Sequence, residues 1–445
     1  MKQLTILGGG ESGTGAALLG IKQGYRVFVS DSGEISKNLR KDLKEAGINF
    51  EENGHSLDKI KVADEIIKSP GIAEKSAIMV KVRELHIPVI SEIEFAFRYS
   101  KDKNIIAVTG SNGKSTTTAL TYHMLKTAGR NAACVGNIGY SFARQVAVSP
   151  VSDYVVEVSS FQLDDIETFK PHIAILLNIT SDHLDRYEFK MEQYIKSKFN
   201  IASNQTREDY FIYCQDDENI CTHLKSTPVY SKNIAYTIME PLKEGGFVEK
   251  KQLHVLLNDD HFTMSIYDLA LKGKHNLYNS MAASIAARSM DIRKDIIRES
   301  LATFKGLEHR LEFVATIRGI DFINDSKATN VNSVWFALES MEKPVTLILG
   351  GIDKGNDYSM LKELVRQKVK AIVCLGTENS KIHDSFKGVV TVMKDVTNAR
   401  DAVRVAYQLS SKGDVVLLSP ACASFDLFKN YEDRGRQFRE AVKDL

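Results

Sequence analysis

Short β-branched runs alternate with helical patterns along most of the chain. Leu4–Leu7, Val27–Val29, Ile105–Val108, Val155–Val158, Ile173–Leu177, Thr346–Leu349, Ala371–Leu375 and Val415–Leu418 are almost continuously apolar. A strand of that kind is buried on both faces, as in a parallel sheet covered by helices. The expected class is α/β, built on doubly wound, Rossmann-like sheets. The pattern divides into three blocks. Residues 1–98 open on a strand and a glycine loop and close near a Glu-rich helix from Ser91 to Tyr99. Residues 99–305 restart at Asn104 with a second strand, glycine loop and helix. Inside that block, residues 214–270 change to short alternating segments, 254–257 and 261–266, which predict a small antiparallel subsheet beside the parallel one. Residues 306–445 form a third, Rossmann-like block.

Composition narrows the function classes. Lys+Arg is 58 and Asp+Glu is 57, a formal charge of +1 over 445 residues. That balance argues against a bulk polybasic surface, so no nucleic-acid partner is expected. No apolar run reaches the roughly 18 residues of a membrane helix, and MKQLTILGGG reads as a first strand rather than a signal peptide. The five cysteines are scattered without a C-x-x-C pair, which argues against a disulfide framework or a zinc site and for a reducing cytoplasm. An enzyme that handles small molecules is the reading left.

Two glycine loops carry candidate chemistry. Gly8 to Gly13 fits G-x-G-x-x-G between a strand and a helix, where backbone approaches a pyrophosphate and a helix N-terminus supplies N–H donors. Asp31 ends the second strand, the place of a ribose-binding acid. The alternative is a tight turn of any doubly wound sheet, and NAD and UDP are physically equivalent here. The second loop, TGSNGKST (109–116), follows a strand and precedes a helix with Leu120, Met124, Leu125 and Ala128 on one stripe. It reads as a phosphate loop for ATP, with Lys114 on the phosphates and Ser115 on Mg²⁺. Val108 breaks the longer G-x-x-x-x-G-K-[ST] pattern, and the shorter G-x-x-G-K-S is met. Glu157 ends an otherwise apolar strand and is either a solvent-facing edge residue or a Mg²⁺ ligand. His183, in a loop after a strand, and Lys198, on a helix from Met191 to Ala202, read alone as a structural histidine and a solvated lysine.

Together, TGSNGKST, EVSSFQL, NITSDHLDRY and YIKSK resemble, in order and spacing, the ATP-dependent Mur ligases of peptidoglycan synthesis. GLEHRLE, NDSKATN, GGIDKG and SPACASFDLFKNYEDRG narrow the likeness to the branch that adds D-glutamate to UDP-N-acetylmuramoyl-L-alanine. The D-N-P-R motif of the diaminopimelate-adding branch is absent. The resemblance spans essentially the whole chain and implies uridine-nucleotide, ATP and amino-acid domains in that order, closing over their ligands. It puts UDP rather than NAD on the first loop, at Glu11, Ser12, Asp31, Ser32 and Gly71, with Gly33 departing from the basic residue that reaches the nucleotide there. Asn137 and His183 match positions on the muramoyl substrate. ATP falls to Gly110, Asn112, Gly113, Lys114, Ser115, Thr116, Asn276, Asn279, Arg310 and Asp325. D-glutamate falls to Lys327, Thr329, Lys354, Ser424 and Tyr431, the last standing where Phe is common. Two Mg²⁺ sites are implied, from Ser115, Glu157, His183 and a carbamoylated Lys198. Lys114, His183, Lys198 and Asn137 are the implied catalytic set, working through an acyl phosphate, and the base that frees the amine is left unassigned. A cytoplasmic monomer is expected.

Three rivals make distinguishable demands. A folylpolyglutamate-synthetase-like ligase has no dedicated uridine-nucleotide domain. A nicotinamide-dependent oxidoreductase has no use for Lys114. A non-catalytic nucleotide-binding regulator would have lost some of Lys114, Glu157, His183 and Lys198, and all four are present.

Overall fold

The computed structural model describes residues 1–182 and 184–445. They fold as three sheets. The first contains β1 (Gln3–Leu7), β2 (Arg26–Ser30), β3 (Asn49–Glu51), β4 (Glu65–Lys68) and β5 (Val89–Ser91) in the order β3-β2-β1-β4-β5. All its pairings are parallel. The second contains β6 (Asn104–Thr109), β7 (Ala132–Gly136), β8 (Asp153–Glu157), β9 (Ile173–Leu176), β10 (Tyr210–Cys214), β11 (Lys232–Thr237), β12 (Gly245–Glu249), β13 (Gln252–Leu257) and β14 (Asp260–Ser265). Its order is β14-β13-β12-β11-β10-β9-β6-β8-β7. β12, β13 and β14 are the antiparallel portion, and they extend the parallel sheet. The third contains β15 (Glu312–Ile317), β16 (Ile320–Asn324), β17 (Val345–Leu349), β18 (Val369–Leu375), β19 (Met393–Val396) and β20 (Val415–Leu418) in the order β15-β16-β20-β17-β18-β19. Only β15 runs against its neighbour.

The described residues form two compact units. One comprises Met1–Ala270 and Leu277–Phe304, so it holds the first two sheets; the other comprises Leu271–Asn276 and Lys305–Leu445. In each sheet the order reverses at one point, and the loops leaving the strands there open a crevice beyond their carboxyl ends. These points are β1 against β4, β6 against its neighbours β8 and β9, and β20 between β16 and β17.

Specific polar contacts weld the first two sheets together. Ser91 caps the helix Glu92–Arg98 by accepting from the Glu94 amide, and two acids in the first turn suit the positive end of the dipole. The buried Glu94 carboxylate accepts from the amides of Glu167, Thr168 and Phe169 at 2.7 to 3.0 Å. Burial opposes its charge, but the Thr168 hydroxyl, those amides and Arg98 more than offset this and hold its pKa below the usual range. Gly15 lets the helix Glu11–Lys22 lie against the helix Phe142–Val148, since a Cβ there would stand 2.0 Å from Ser141 Oγ.

Glu92, two residues before Glu94, is different. It is fully buried, one oxygen accepts from the Ala143 amide, and the other has no hydrogen-bond partner among the described residues. Burial, helped by the nearby Glu11 charge, pushes its pKa up to about 7 against the Ala143 bond. A carboxyl raised in the folded state stabilises fully below its unfolded pKa, and that stabilisation is lost as pH rises through about 7. Glu92→Gln keeps the acceptor for Ala143 and removes the charge. The melting temperature of the variant minus that of the wild type should therefore grow between pH 5 and pH 8, by a shift worth about 3 kcal/mol. A difference that stays constant with pH would contradict this.

Candidate functional site

The phosphate loop leaves β6 at the reversal point of the second sheet. Gly110 and Gly113 hold φ of +152° and +86°, and a Cβ would meet Leu177 Cβ at 2.9 Å from the first and Asn279 Oδ1 at 2.5 Å from the second. Both positions therefore need glycine. The loop is tied to the segment after β9. Asn112 N donates to Asn178 Oδ1 at 2.8 Å, and Asn178 Nδ2 returns a bond to Asn112 O at 3.0 Å. Ser111 Oγ donates to Thr180 O, and Ser111 N to Asn178 O. Asn178 was not singled out by sequence, although its motif was; a side chain that matches a backbone amide on both sides has no spacing signature. Asn178→Ala should raise the KM for ATP about tenfold with a smaller effect on kcat, because it frees the loop without removing a phosphate contact. Initial-rate measurements over ATP concentration check this.

The helix that follows, Lys114–Thr127, starts at Gly113, with Ser115 and Thr116 buried in its first turn. Lys114 Nζ donates to Gly110 O at 2.7 Å and to Ser111 O at 2.9 Å. Asn279, on the helix Lys274–Ser289, accepts from Thr117 Oγ1 at 3.2 Å. Asn276 donates to Lys272 O at 2.8 Å within the other unit.

Lys198 is not the solvated lysine its helix position suggests. It is 1% exposed, and its Nζ donates to the same Gly110 carbonyl at 2.8 Å, so two lysines converge on one oxygen of the phosphate loop. Nζ also lies 4.6 Å from the centroid of the Tyr194 ring. Burial, then the Lys114 charge, push its pKa well below the ordinary lysine value against the pull of Asp182 and Asp164. Lys198 is therefore held towards the neutral, nucleophilic amine.

Glu157 is not on an edge: β8 lies between β6 and β7, and the residue is 2% exposed. Its Oε1 accepts from Asn137 Nδ2 at 3.0 Å, and its buried Oε2 has no hydrogen-bond partner among the described residues. A buried, unsatisfied carboxylate oxygen is costly without a cation. A carboxylate and the Ser115 hydroxyl are hard oxygen donors of the kind Mg²⁺ takes, so the chemistry of these residues fits the ion. His183 lies outside the described residues.

In the first sheet, Gly8 (φ +92°) puts its backbone against the loop after β4, with Ser69 Oγ donating to Gly8 O at 3.3 Å. Asp31 organises the crevice through backbone. Its Oδ2 accepts from Gly9 N at 2.6 Å and its Oδ1 from Gly33 N at 2.8 Å. Glu11 Oε1 accepts from Ser141 N and Arg144 Nε, bridging to the second sheet. Ser12 is half-buried, and Ser32 and Gly71 are exposed. Arg186, unmarked by sequence, donates to the carbonyls of Pro70, Gly71 and Ile72 and stacks 4.3 Å from the Phe161 ring centroid.

In the other unit, the amino-acid candidates leave neighbouring strands at their carboxyl ends: Lys327 and Thr329 after β16, Lys354 after β17, Ser424 after β20. Lys327 Nζ sits 3.8 Å from the Tyr431 ring centroid. Lys354 is exposed and Ser424 buried. Asp325 turns inward, accepting from Ser419 Oγ at 2.9 Å and Leu311 N at 3.2 Å. Burial pushes its carboxyl up to about 7 against those bonds and the Arg310 charge. Arg310 is half-buried. Together with burial, it also drives His275 down to about 4.

The long C-terminal motifs are knitted by residues that sequence reasoning did not assign. Buried Arg434 donates to Ser326 Oγ, Ser326 O and Cys422 O at 2.9 to 3.2 Å, clamping the segments that carry Lys327 and Ser424. Asn324 Nδ2 bonds His309 Nδ1, Glu312 Oε2 and Gly435 O. Gly435 admits the imidazole, since a Cβ would stand 2.2 Å from His309 Nδ1.

The comparisons with known proteins agree along the length. Residues 3–78 match the MurD N-terminal domain, 108–287 the Mur ligase middle domain, and 309–422 the Mur ligase glutamate ligase domain. The chain belongs to the Mur ligase family. A UDP-N-acetylmuramoylalanine--D-glutamate ligase of Christiangramia forsetii is 54% identical over 100% of both chains. One of Bacteroides fragilis is 50% identical over 100% of both. Among solved structures, a UDP-N-acetylmuramate-alanine ligase from Thermotoga maritima superposes with TM-score 0.64 at 20% identity, covering 100% of this chain and 99% of that one. A MurF ligase from the same organism, solved with ADP, gives 0.63 at 17%, covering 94% and 95%. At these identities the two structures bear on the fold of this Mur ligase alone. No helix among the described residues is long and apolar enough to cross a membrane.

Proposed function

We propose that this Mur ligase joins D-glutamate to UDP-N-acetylmuramoyl-L-alanine with ATP, in the cytoplasm and as a monomer. Full-length relatives at 50% and 54% identity bearing that activity in their names support the substrate pair. The observation that carries the chemistry is the convergence of Lys114 and the buried Lys198 on the Gly110 carbonyl. Residues 1–98, 99–305 and 306–445 are proposed to serve the uridine nucleotide, ATP and amino acid.

The L-alanine carboxylate attacks the γ-phosphorus, the bond to ADP breaks, and an acyl phosphate results. A carboxylate is a poor electrophile, and phosphate gives it a leaving group. The D-glutamate amine then attacks the acyl carbon, and phosphate departs from the tetrahedral intermediate. Lys114 leaves its loop carbonyls to neutralise phosphate charge, while the glycine-loop amides and the turn pinned by Asn178 hold the phosphates in line. Glu157 and Ser115 would hold one Mg²⁺, and His183 with carbamoylated Lys198 a second; bound there, the ions would offset charge between two anionic reactants. The neutral Lys198 amine adds to CO₂ with loss of one proton, and an uncharged amine becomes an anionic oxygen ligand. Asn137 orients the Glu157 carboxylate and the muramoyl substrate. Glu11, Ser12, Asp31, Ser32 and Gly71 are proposed for the uridine nucleotide. The remaining ATP contacts are proposed at Asn112, Thr116, Asn276, Asn279, Arg310 and Asp325. Lys327, Thr329, Lys354, Ser424 and Tyr431 suit a dicarboxylate, which demands cations and donors at both ends.

Hydroxylamine tests the intermediate. With ATP, Mg²⁺ and the nucleotide substrate but no D-glutamate, hydroxylamine should intercept the acyl phosphate and yield an ATP-dependent hydroxamate. No hydroxamate from enzyme that is active with D-glutamate would contradict the acyl phosphate.

A further inference from the structure

Three potential metal ligands meet at the edge of the third sheet, in residues to which the ligation chemistry assigns nothing. β19 is the edge strand, paired in parallel with β18, and Cys374 stands directly opposite Asp395 across that pair. Partners in register point to the same face of a sheet. The helix Ser380–Phe386 brings His383 over the same face, with His383 Nε2 at 3.0 Å from each Asp395 oxygen. The Cys374 sulfur, a His383 ring nitrogen and an Asp395 oxygen all lie within 4.8 Å of one another. Ligand atoms around a tetrahedral zinc ion stand about 3.3–3.8 Å apart, so modest rotamer adjustment closes the set.

A His–Asp pair on a surface is ordinary, and Cys374 belongs to the apolar core cluster that includes Ile372, Ile382 and Phe386; what neither accounts for is the approach of all three ligand atoms to within 4.8 Å of one another. Cys374 is inaccessible to solvent, while His383 and Asp395 are on the open side, which gives an ion a way in and a fourth position for water. Asn379 orients the carboxylate, donating to Asp395 Oδ1 at 2.9 Å and to Gly376 O at 3.2 Å, while its own buried Oδ1 lacks a hydrogen-bond partner among the described residues. Such support around the ligands is what a metal site needs to hold its geometry. The absence of a C-x-x-C pair argued against zinc, but that spacing concerns ligands near in sequence. Here they come from two strands and a helix.

We propose that Cys374, His383 and Asp395 form a binding site for one divalent, borderline-soft transition-metal ion of the zinc class, separate from the oxygen-donor Mg²⁺ sites. Sulfur, imidazole and carboxylate together favour such an ion over Mg²⁺, which takes oxygen ligands. On binding, the thiol gives its proton to solvent and the thiolate sulfur bonds the ion. An ordinary thiol is protonated at neutral pH, so about one proton should be released per ion bound. The turn after β18 adjoins the segments carrying two acceptor candidates. The Cβ position of Gly376 is 3.0 Å from Gly351 N, and Thr377 N donates to Asp426 Oδ2 at 3.3 Å. An ion at this site would brace that turn.

The test is Co²⁺ titration of the reduced, chelator-stripped, full-length protein in excess Mg²⁺, which fills oxygen sites first. One equivalent of Co²⁺ should give a thiolate-to-cobalt charge-transfer band, bleached by one equivalent of Zn²⁺. Cys374→Ser should abolish the band, and His383→Gln and Asp395→Asn should each weaken Co²⁺ binding at least about tenfold. His383→Gln, on the accessible side, keeps the test intact should Cys374→Ser not fold. No band in the wild type, or an unchanged band in Cys374→Ser or His383→Gln, would overturn the proposal. Because the readout is spectroscopic, it stands or falls independently of the ligase activity.

Discussion

Lys198→Ala is expected to lower kcat about a thousandfold while leaving the KM for ATP within a few-fold of wild type. The side chain sits beside the phosphate loop, and among the described residues its hydrogen bond goes to the Gly110 carbonyl. Its removal therefore leaves the loop amides and Lys114 in place for ground-state binding. What is lost is the oxygen ligand that the carbamate would supply where charge builds up between two anions. A lysine 1% exposed, with its pKa driven well down by burial and by Lys114, is poorly suited to serve as a cation. It is well suited to add to CO₂. Short-chain carboxylic acids should therefore restore part of the activity of Lys198→Ala, by placing a carboxylate in the vacated space. If Lys198 acted only as a structural hydrogen-bond donor, an added anion would restore nothing, and comparing steady-state rates with and without acetate or propionate decides between the two.

Lys114→Ala should fall at least as far, by about a thousandfold in kcat/KM, and should resist the same rescue. The ammonium donates to the carbonyls of Gly110 and Ser111, and on the proposed mechanism it moves from them to the γ-phosphate oxygens. A carboxylate offered in its place has the wrong sign. A second effect follows from the geometry. The Lys114 charge is one of the two influences that lower the pKa of Lys198. Without it, Lys198 gains a proton more readily, less amine is left to react with CO₂, and the two losses should be less than additive in the double variant. A full product of the single effects would contradict this coupling.

The sequence made the sheets and the phosphate loop legible because both leave local signatures. A strand buried on both faces writes a continuous apolar run, so β1, β6, β9, β17, β18 and β20 were visible within a residue or two. β4 (EIIK) and β19 (MKDV) are short and flanked by charge, and only their parallel partners make them strands. Glu157 was ambiguous because exposure depends on strand order. Placing β8 inside the sheet removes the solvent-facing alternative. Lys198 looked idle because nothing in a helical pattern reveals that its face is roofed by the phosphate loop. Arg434, Asn324 and Asn178 were missed for a common reason: each works by bonding backbone far away in sequence, such as Arg434 to Cys422 O and Ser326 O. The near-neutral total of +1 likewise says nothing of where the candidate cations fall: Lys114 follows β6, Arg310 precedes β15, Lys327 follows β16 and Lys354 follows β17.

The most direct measurement of the central claim is ADP release by the purified full-length protein given ATP, Mg²⁺ and UDP-N-acetylmuramoyl-L-alanine. Adding D-glutamate should start continuous ADP release with one amide formed per ADP, and L-glutamate at the same concentration should leave the rate near background. No ADP release on adding D-glutamate, or equal rates with the two enantiomers, would contradict the account.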